Sequence, residues 1–553
     1  MAGTIVPKGL YSKSSDFNAM LSPFFAWVKS NPFLVAGFVL IVVLFAFFFP
    51  AFYVSIDEHE YLKNATLLSN GELIDVNPLD YCGGHFTRDH YRSTYFIGKS
   101  LFLIPFLPFG LSGVMFSGLL IHLLNFVLFF LILKRLKTDS RFALLYLFFP
   151  AFVWGSRTLS SELLVVAVAL AGLLFFLGSS RKEWFVSGLF FGLAALVRYD
   201  QALLFVGFAI AAFFSDRQRS KWLIIGFAII ALLIMGINAA FYGGPLNLPY
   251  SQESPLHYLS NTLTGANSAV FSLFDGALLI PAFWANLAVW IGVFLVAYPL
   301  MLLSPFFVLH RIKNKSEKTG ASSRFQRISL LFSNRAFAVS AAIILSAIPL
   351  FWLFSNYSGI ALFEIFSPLT ITGRMRYLIP LAALFLVPYA IFLEPIFKRI
   401  RIDKRIIFIA LLLVLGVGAF LVSFEHQAKL TTPRFLVLTQ ILENTPENAL
   451  VIGSSDDCIY FNQIFSGNRQ YYRADSNFFP LDELVFSSER PVYFLRLQYS
   501  NKSDAEFRQE IIDRERKVIN DAIERFKPQL VSVFATNYPH HLELFEFSRE
   551  SVL

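Results

Sequence analysis

The chain is poor in cysteine and in charge. Its 553 residues include 2 cysteines, Cys82 and Cys458, which excludes a disulfide framework or a CxxC metal site. A single bridge between them stays possible if both lie on one side of a membrane. Charged residues make up 15% of the chain, against about 25% in soluble domains. No short internal repeat, heptad run or low-complexity tract is present, so neither a repeat protein nor a coiled coil is indicated.

Hydrophobic residues make up 56% of the chain, and 65 residues are phenylalanine. About 20 apolar residues in a helix cross the ~30 Å hydrocarbon core of a bilayer. The sequence therefore predicts an α-helical polytopic membrane protein with about 11 transmembrane helices. The runs lie at Pro32–Val54, 112–133, 141–156, 160–178, 184–197, 200–214, 222–241, 281–309, 336–354, 377–397 and 406–424.

Basic residues in the short loops predict the orientation. They all fall on one side, together with the basic N-terminus, which makes that side cytoplasmic by the positive-inside rule. The clusters are Lys134–Lys137, Arg181–Lys182, Arg217–Lys221, 310–335 and Lys398–Arg405. We therefore predict a multi-pass protein of the cell membrane. Residues 1–31 are cytoplasmic and, lacking the short apolar core of a signal peptide, precede an uncleaved anchor.

The segments on the other side are the long polar loop 55–111 and the tail 425–553, which flank a transmembrane region at 32–424. The tail alternates predicted helices at 433–444 and 504–526 with strand-like stretches. These stretches are Ala449–Ile452, Val492–Leu497 and Leu530–Phe534. The pattern is typical of a small α/β domain, so we expect an extracytoplasmic α/β domain there.

The net charge of +8 is no evidence for nucleic-acid binding, because most basic residues lie in the cytoplasmic segments. The exceptions would be available to an anionic ligand at membrane depth or on the outer face. They are Lys63, Arg88, Arg92, Lys99, Arg157, Arg198, Arg374 and Arg376.

Acidic residues emerge together where the first apolar run ends. Asp57, Glu58 and Glu60 are followed by Tyr61. Charges at this place are either a polar cap on the first helix or part of a functional site. We expect an extended segment here, in which adjacent residues point to opposite sides, so that either Asp57 or Glu58 faces a pocket.

Charged residues also interrupt the apolar runs. Arg198 and Asp200 lie between the runs 184–197 and 200–214, and Arg157 and Glu162 lie between the third and fourth spans. A charge at the bilayer centre costs about 2.5–3.5 kcal/mol on insertion scales, so it faces a partner or a cavity. Two interpretations follow: an Arg–Asp pair that caps two short helices, or the floor of an outward-opening pocket.

Two further groups have alternative interpretations. Arg374 and Arg376 either extend to lipid headgroups or bind a phosphate, which suits the planar guanidinium group. His85, Asp89 and His90 either bind a metal or are solvated. Their spacing in a loop is only a weak signal for a metal site.

The order of these motifs resembles the GT-C superfamily of membrane glycosyltransferases. The acidic pair Asp57–Glu58 follows the first span, and Lys99 precedes an apolar segment, Leu101–Gly110, that is expected to lie at the membrane interface. Further similar stretches are Ser156–Glu162, Gly188–Asp200, Tyr242–Leu246 and Arg374–Pro380. The branch that the chain resembles contains protein O-mannosyltransferase-like and aminoarabinose-transferase-like enzymes.

The resemblance implies that a sugar, hexosyl or pentosyl, is transferred from a polyprenyl-phosphate donor on the non-cytoplasmic face. The acceptor is a hydroxyl or similar group on a glycan, lipid or protein. The first-loop acid acts as general base, and we choose Asp57 over Glu58 because that acid usually follows the first span directly. Lys99, Arg374 and Arg376 would face the lipid phosphate. A phosphate leaving group removes any strict need for a metal, so no cofactor is required, although some family members use a divalent cation.

Two other classes of protein are weighed against this enzyme. A multi-pass transporter of an anionic or sugar substrate typically has two matching halves with broken helices near the midplane, and no such halves are evident in the sequence. A receptor or scaffold would leave the acidic and basic residues without a joint role.

Overall fold

In the computed structural model, the protein has a helical part followed by a five-stranded sheet. The structure describes residues 29–50, 56–72, 74, 85–86, 91–93, 95–247, 298, 300–316, 331–355, 368–400, 403–431, 441–453, 469–473, 481–499, 517, 519–535 and 540–548. Cys82 and Cys458 lie outside these ranges, as do Asp89 and His90.

The described residues of the helical part form α-helices. The helices are α1 (Pro32–Phe47), α2 (Ile56–Ser69), α3 (Ile97–Leu103), α4 (Gly110–Arg135), α5 (Ala143–Leu147), α6 (Pro150–Gly155), α7 (Glu162–Phe176), α8 (Arg181–Val197), α9 (Ala202–Ser215), α10 (Arg217–Phe241), α11 (Ser304–Ser316), α12 (Arg335–Ser355), α13 (Pro368–Ile400) and α14 (Lys404–Thr431). Turns of 3-10 helix occupy Ile104–Phe109, Ser140–Phe142 and Tyr199–Gln201.

The first helix is shorter than the apolar run that predicts it. The run extends to Val54, but α1 ends at Phe47. Pro50 follows closely, and a proline disfavours helical backbone at the residue before it. Residues 51–55 lie outside the described part of the chain.

The apolar run 141–156 does not form one spanning helix. It divides into α5 and α6, with Phe149 in an extended conformation between them. Pro150 causes the break, because it has no backbone N–H and restricts the preceding residue. Neither helix is long enough to cross a bilayer alone.

Four stretches of the described chain are long and apolar enough to cross a membrane: Ile97–Arg135, Arg217–Phe241, Ile379–Ile400 and Arg405–Phe424. Shorter apolar helices lie at Pro32–Phe47, Glu162–Phe176, Tyr199–Ser215 and Arg335–Leu350. On α10 and α14, large apolar side chains such as Leu232 and Leu413 are exposed, as expected for surfaces that face lipid. The helical membrane fold is thus confirmed, whereas the count of 11 spans stays a prediction.

Helix α7 lies in the core, packed against α4, α8 and α13. Its first residue, Glu162, is nearly inaccessible to solvent. Helix α8 runs back beside α7, so the residue after it, Arg198, returns to the end at which α7 begins. We call this the site end of the helical part.

The C-terminal part contains a mixed sheet. Its strands are β3 (Leu450–Gly453), β4 (Gln470–Arg473), β5 (Val492–Tyr499), β6 (Gln529–Ala535) and β7 (His540–Phe547). Two short strands earlier in the chain, β1 (His85–Phe86) and β2 (Tyr91–Arg92), form a separate ladder. The order is β4-β3-β5-β7-β6. β3 pairs in parallel with β4 and β5, and β7 is antiparallel to β5 and β6. A short helix, α15 (Leu481–Ser487), packs on the sheet through Val485.

The predicted α/β tail is confirmed, with two strands that the sequence did not reveal. β4 is only four residues long, and β7 carries polar residues that obscure its alternating pattern. The cross-strand pair of Arg496 with Glu543 explains part of that polarity, since the guanidinium Nε lies 2.6 Å from the carboxylate. Helix α14 continues to Thr431, past the predicted domain boundary at 424.

Candidate active site

The acidic stretch after the first span is helical, not extended as predicted. It forms the first turn of α2, with Asp57 half-buried. The hydroxyl of Tyr95 donates a hydrogen bond of 2.6 Å to Oδ1 of Asp57. Tyr61 lies one turn further along the same face of α2, and its ring meets the ring of Tyr95 edge-on at 5.3 Å.

Glu58 points in another direction from Asp57, because successive residues on a helix lie about 100° apart. Its side chain is buried, and Oε1 accepts a 2.8 Å hydrogen bond from the backbone N–H of Leu159. Glu58 therefore fastens α2 to the connection between α6 and α7. His59 and Glu60 are also buried.

The same connection holds Tyr61. The phenol hydroxyl donates to Oγ of Ser161 at 3.2 Å. Burial, with the nearby Asp57 carboxylate, raises the pKa of Tyr61 well above its ordinary value, so the phenol stays protonated and remains a donor. Two successive turns of α2 are thus fixed to one short segment of the chain.

Glu162, Arg198 and Asp200 form an ion cluster at the site end. Arg198 Nη1 lies 3.2 Å from Glu162, and Nη2 lies 3.2 Å from Asp200. Gln201 donates a further hydrogen bond to Asp200 at 3.1 Å. The predicted Arg–Asp pair is present, but Glu162 extends it to another helix. The cluster joins the start of α7 to the break between α8 and α9.

Lys99 is 1% exposed, and its ammonium group lies 5.5 Å from the centre of the Phe102 ring. It is within electrostatic range of Glu162 and Glu58, but it forms no ion pair with any residue in the described part of the chain. The neighbouring Gly98 lets α3 pack closely against the end of α8, because a Cβ at this position would lie 2.7 Å from the carbonyl oxygen of Leu196. Lys99 is therefore a buried cation beside the carboxylates of the site.

Arg157 does not share these contacts. It is buried, and its Nε donates to the carbonyl oxygen of Phe48 at 2.8 Å. Its other nitrogens reach the carbonyl oxygen of Val422 at 3.3 Å and Nδ1 of His426 at 3.3 Å. Through these contacts Arg157 braces the ends of α1 and α14 against the start of the α6–α7 connection, whereas the sequence grouped it with Glu162 in one pocket.

The remaining predicted residues are only partly described. The backbones of Arg374 and Arg376 belong to α13, and that of His85 pairs with Arg92 in the β1–β2 ladder; their side chains lie outside the described part. Within the residues that the structure describes, no group of three His, Cys, Asp or Glu side chains could hold a metal ion. The two alternatives for His85, Asp89 and His90, a metal site or solvated side chains, therefore stay untested.

Sequence reasoning missed Tyr95, Ser161 and Gln201. The partners of Tyr95 and Ser161 come from distant parts of the chain, and no motif marks Tyr95. Gln201 bonds to its neighbour Asp200. Ser160 and Ser161, which interrupt an apolar run just before Glu162, were a local signal that polar contacts would be made there.

Comparisons with known proteins agree with the resemblance described above. Residues 101–239 match the family model described as dolichyl-phosphate-mannose-protein mannosyltransferase. No curated protein matches the chain significantly in sequence.

Solved structures of similar proteins share low identity with the chain. ArnT from Cupriavidus metallidurans in the apo state has 12% identity and a TM-score of 0.45, over 95% of this chain and 98% of that one. The same protein bound to undecaprenyl phosphate has 10% identity and a TM-score of 0.41, over 93% and 98%. The oligosaccharyltransferase AglB from Archaeoglobus fulgidus, in complex with an inhibitory peptide and a dolichol-phosphate, has 15% identity and a TM-score of 0.43, over 80% and 64%.

The family match covers α4, which runs beside the core helix α7, and the whole of the Glu162–Arg198–Asp200 cluster. Residues 101–239 therefore carry the sequence pattern of the dolichyl-phosphate-mannose-protein mannosyltransferase family, and the resemblance to membrane glycosyltransferases of the GT-C superfamily is confirmed.

Proposed function

We propose that this protein transfers a sugar from a polyprenyl-phosphate donor to an acceptor on the non-cytoplasmic face of the membrane, with Asp57 as general base. The observation that carries the proposal is the setting of Asp57. It is half-buried and oriented by Tyr95, whereas Glu58 and Glu60 are 4% and 0% exposed. Asp57 is thus the most accessible carboxylate in the first turn of α2.

The reaction needs a base for the acceptor and positive charge for the leaving group. Asp57 takes the proton of the acceptor hydroxyl as its oxygen attacks the anomeric carbon of the sugar. The bond between that carbon and the phosphate oxygen breaks, and its electron pair leaves with the polyprenyl phosphate. The developing negative charge on the leaving phosphate needs a cation. Lys99 is a buried cation within electrostatic range of Glu58, the neighbour of Asp57 in the sequence.

Lys99 and Arg198 alone do not suffice for a phosphate. Four carboxylates, on Asp57, Glu58, Glu162 and Asp200, outnumber these two cations, and Arg198 is already held by two of the carboxylates. Further positive charge is needed.

Arg374 and Arg376 are the candidates for this charge. They lie in α13 shortly before Ile379, and Ile379 is close to Gly155 at the site end. Their position on α13 supports the proposal that they bind the donor phosphate.

The decisive experiment compares Asp57→Asn with wild type in transfer from a labelled polyprenyl-phosphate sugar, with both substrates saturating. The variant keeps its shape but loses the proton acceptor, so the rate should fall by about 10²–10⁴ with unchanged thermal stability. Glu72→Gln is the matched control, because Glu72 is an exposed carboxylate just beyond α2. Near-wild-type turnover by Asp57→Asn would refute the assignment.

The same assay separates the enzyme from a transporter. In proteoliposomes, an enzyme forms a covalent sugar–acceptor product, whereas a transporter moves the labelled compound unchanged. Chelation of divalent cations tests the cofactor expectation: transfer should persist in the chelator, and a loss restored by Mg²⁺ or Mn²⁺ would show that a cation takes part.

A further inference from the structure

A cavity lies at the end of the helical part opposite the site. Its volume is about 540 Å³, and it opens between α11, the start of α12 and the last turns of α13. Two relationships fix its position. Phe332 packs against Phe214, which is at the far end of α9 from Asp200. Arg399 is 20 residues along α13 from Ile379, or about 30 Å of helix rise, which equals the hydrocarbon thickness of a bilayer.

The walls of this cavity are apolar. Phe307 of α11 and Phe392 of α13 stack with their ring centres 5.1 Å apart, and both line the cavity with Val308, Ile391 and Ile396. This lining suits a hydrocarbon chain.

The rim of the cavity is basic. Arg311 and Arg399 both line it, with His310 and Asn334, and among the described residues no acidic side chain does. The two arginines form no ion pair with any described residue. Of the two carboxylates nearest in sequence to Arg399, Asp403 accepts a 2.9 Å hydrogen bond from the backbone N–H of Arg405, and Glu394 is bound to Lys398 at 2.8 Å. Two guanidinium groups that line one cavity next to an apolar wall supply the positive charge that a phosphate needs.

The loop that follows α11 is a poor occupant for this cavity. Residues 317–330 contain one glutamate against one lysine and two arginines, so the segment carries the same sign of charge as the rim. Basic pockets between transmembrane helices on the cytoplasmic side bind the headgroups of anionic lipids.

We propose that the cavity between α11, α12 and α13 binds an anionic phospholipid, with its phosphate diester held by Arg311 and Arg399 and an acyl chain along Phe307 and Phe392. This lipid is distinct from the sugar donor, since the cavity is about one bilayer thickness from the candidate active site.

The test is native mass spectrometry of the full chain released from nanodiscs that contain phosphatidylglycerol and phosphatidylcholine. Wild type should retain a phosphatidylglycerol molecule in preference to phosphatidylcholine. Retention by Arg311→Gln/Arg399→Gln should fall by about tenfold or more, because two charge-assisted contacts are lost. The matched control is Arg181→Gln/Lys182→Gln, which removes the same charge from another exposed basic pair and should retain lipid as wild type does.

Two further measurements test whether the acyl chain is bound as well as the phosphate. Ile396→Trp fills the apolar wall without changing the charge and should also lower retention, whereas glycerol phosphate, which lacks acyl chains, should not displace the lipid. Equal loss in both charge variants would show general attraction to the basic surface and overturn the proposal. Unchanged retention in the Arg311/Arg399 and Ile396 variants would do so too. Sugar transfer is measured separately, so the failure of either proposal leaves the other standing.

Discussion

The hydroxyl of Tyr95 donates a 2.6 Å hydrogen bond to Oδ1 of Asp57, across 38 positions of the chain. Tyr95 lies four residues before Lys99, in the segment that leads into α3. One short stretch therefore orients the proposed base and also carries a buried cation, Lys99, within electrostatic range of Glu58 and Glu162. This arrangement links the two charges that sugar transfer from a lipid phosphate requires.

Removal of the Tyr95 hydroxyl should lower turnover while preserving the fold. Tyr95→Phe removes a hydrogen bond to a charged group, worth about 1.5–3 kcal/mol, so we expect kcat to fall by about tenfold as Asp57 loses its orientation. The comparison is Tyr61→Phe, which loses the bond to Ser161 but leaves the Tyr95–Asp57 bond in place. Steady-state kinetics of both purified variants should rank Tyr95→Phe as the slower enzyme, and the reverse order would contradict this role.

Substitution of the buried carboxylates should affect stability more than chemistry. Glu58→Gln keeps an oxygen that can accept from the Leu159 N–H but loses the charge that strengthens this bond. We expect a lower melting temperature and a smaller loss of turnover than in Asp57→Asn, with Glu60→Gln affecting the rate least. If Glu58→Gln lost more turnover than Asp57→Asn at an unchanged melting temperature, Glu58 would be the base.

The α13 arginines should act on the donor. Arg374→Ala and Arg376→Ala should each raise the apparent KM for the polyprenyl-phosphate sugar more than that for the acceptor, since a charge-assisted contact contributes about 1.5–3 kcal/mol. Arg→Lys variants should recover only part of the affinity, because lysine lacks the bidentate fork. Unchanged donor KM in both alanine variants would mean that these residues only contact lipid headgroups.

The orientation can be tested with a single cysteine at position 320 in the 310–335 loop, on a background in which Cys82 and Cys458 are replaced. A membrane-impermeant thiol reagent should label it only after the membrane is opened, because the basic short loops predict a cytoplasmic position for it. A cysteine in the tail should label in intact cells. Labelling of position 320 from outside would reverse the topology.

The sequence by itself determined the elements of this protein and the places where they are interrupted. In a bilayer, an apolar run must pair its own backbone N–H and C=O groups, and a helix does this. The positions of α4, α8 and α10 therefore follow from the apolar runs in the sequence. The breaks at Glu162 and Arg198 were also evident, because charge within an apolar run is costly wherever the chain goes.

Only the tertiary structure decided which polar residues meet. Arg157 and Glu162 are five residues apart and looked equivalent in sequence, yet one braces α1 against α14 and the other joins the Arg198 cluster. Asp57 and Glu58 are adjacent, but the helical turn sends one to Tyr95 and the other to the Leu159 backbone. A hydrogen bond between groups far apart in the chain forms only when the donor–acceptor distance is correct to within a few tenths of an ångström. That distance is set by how the helices pack.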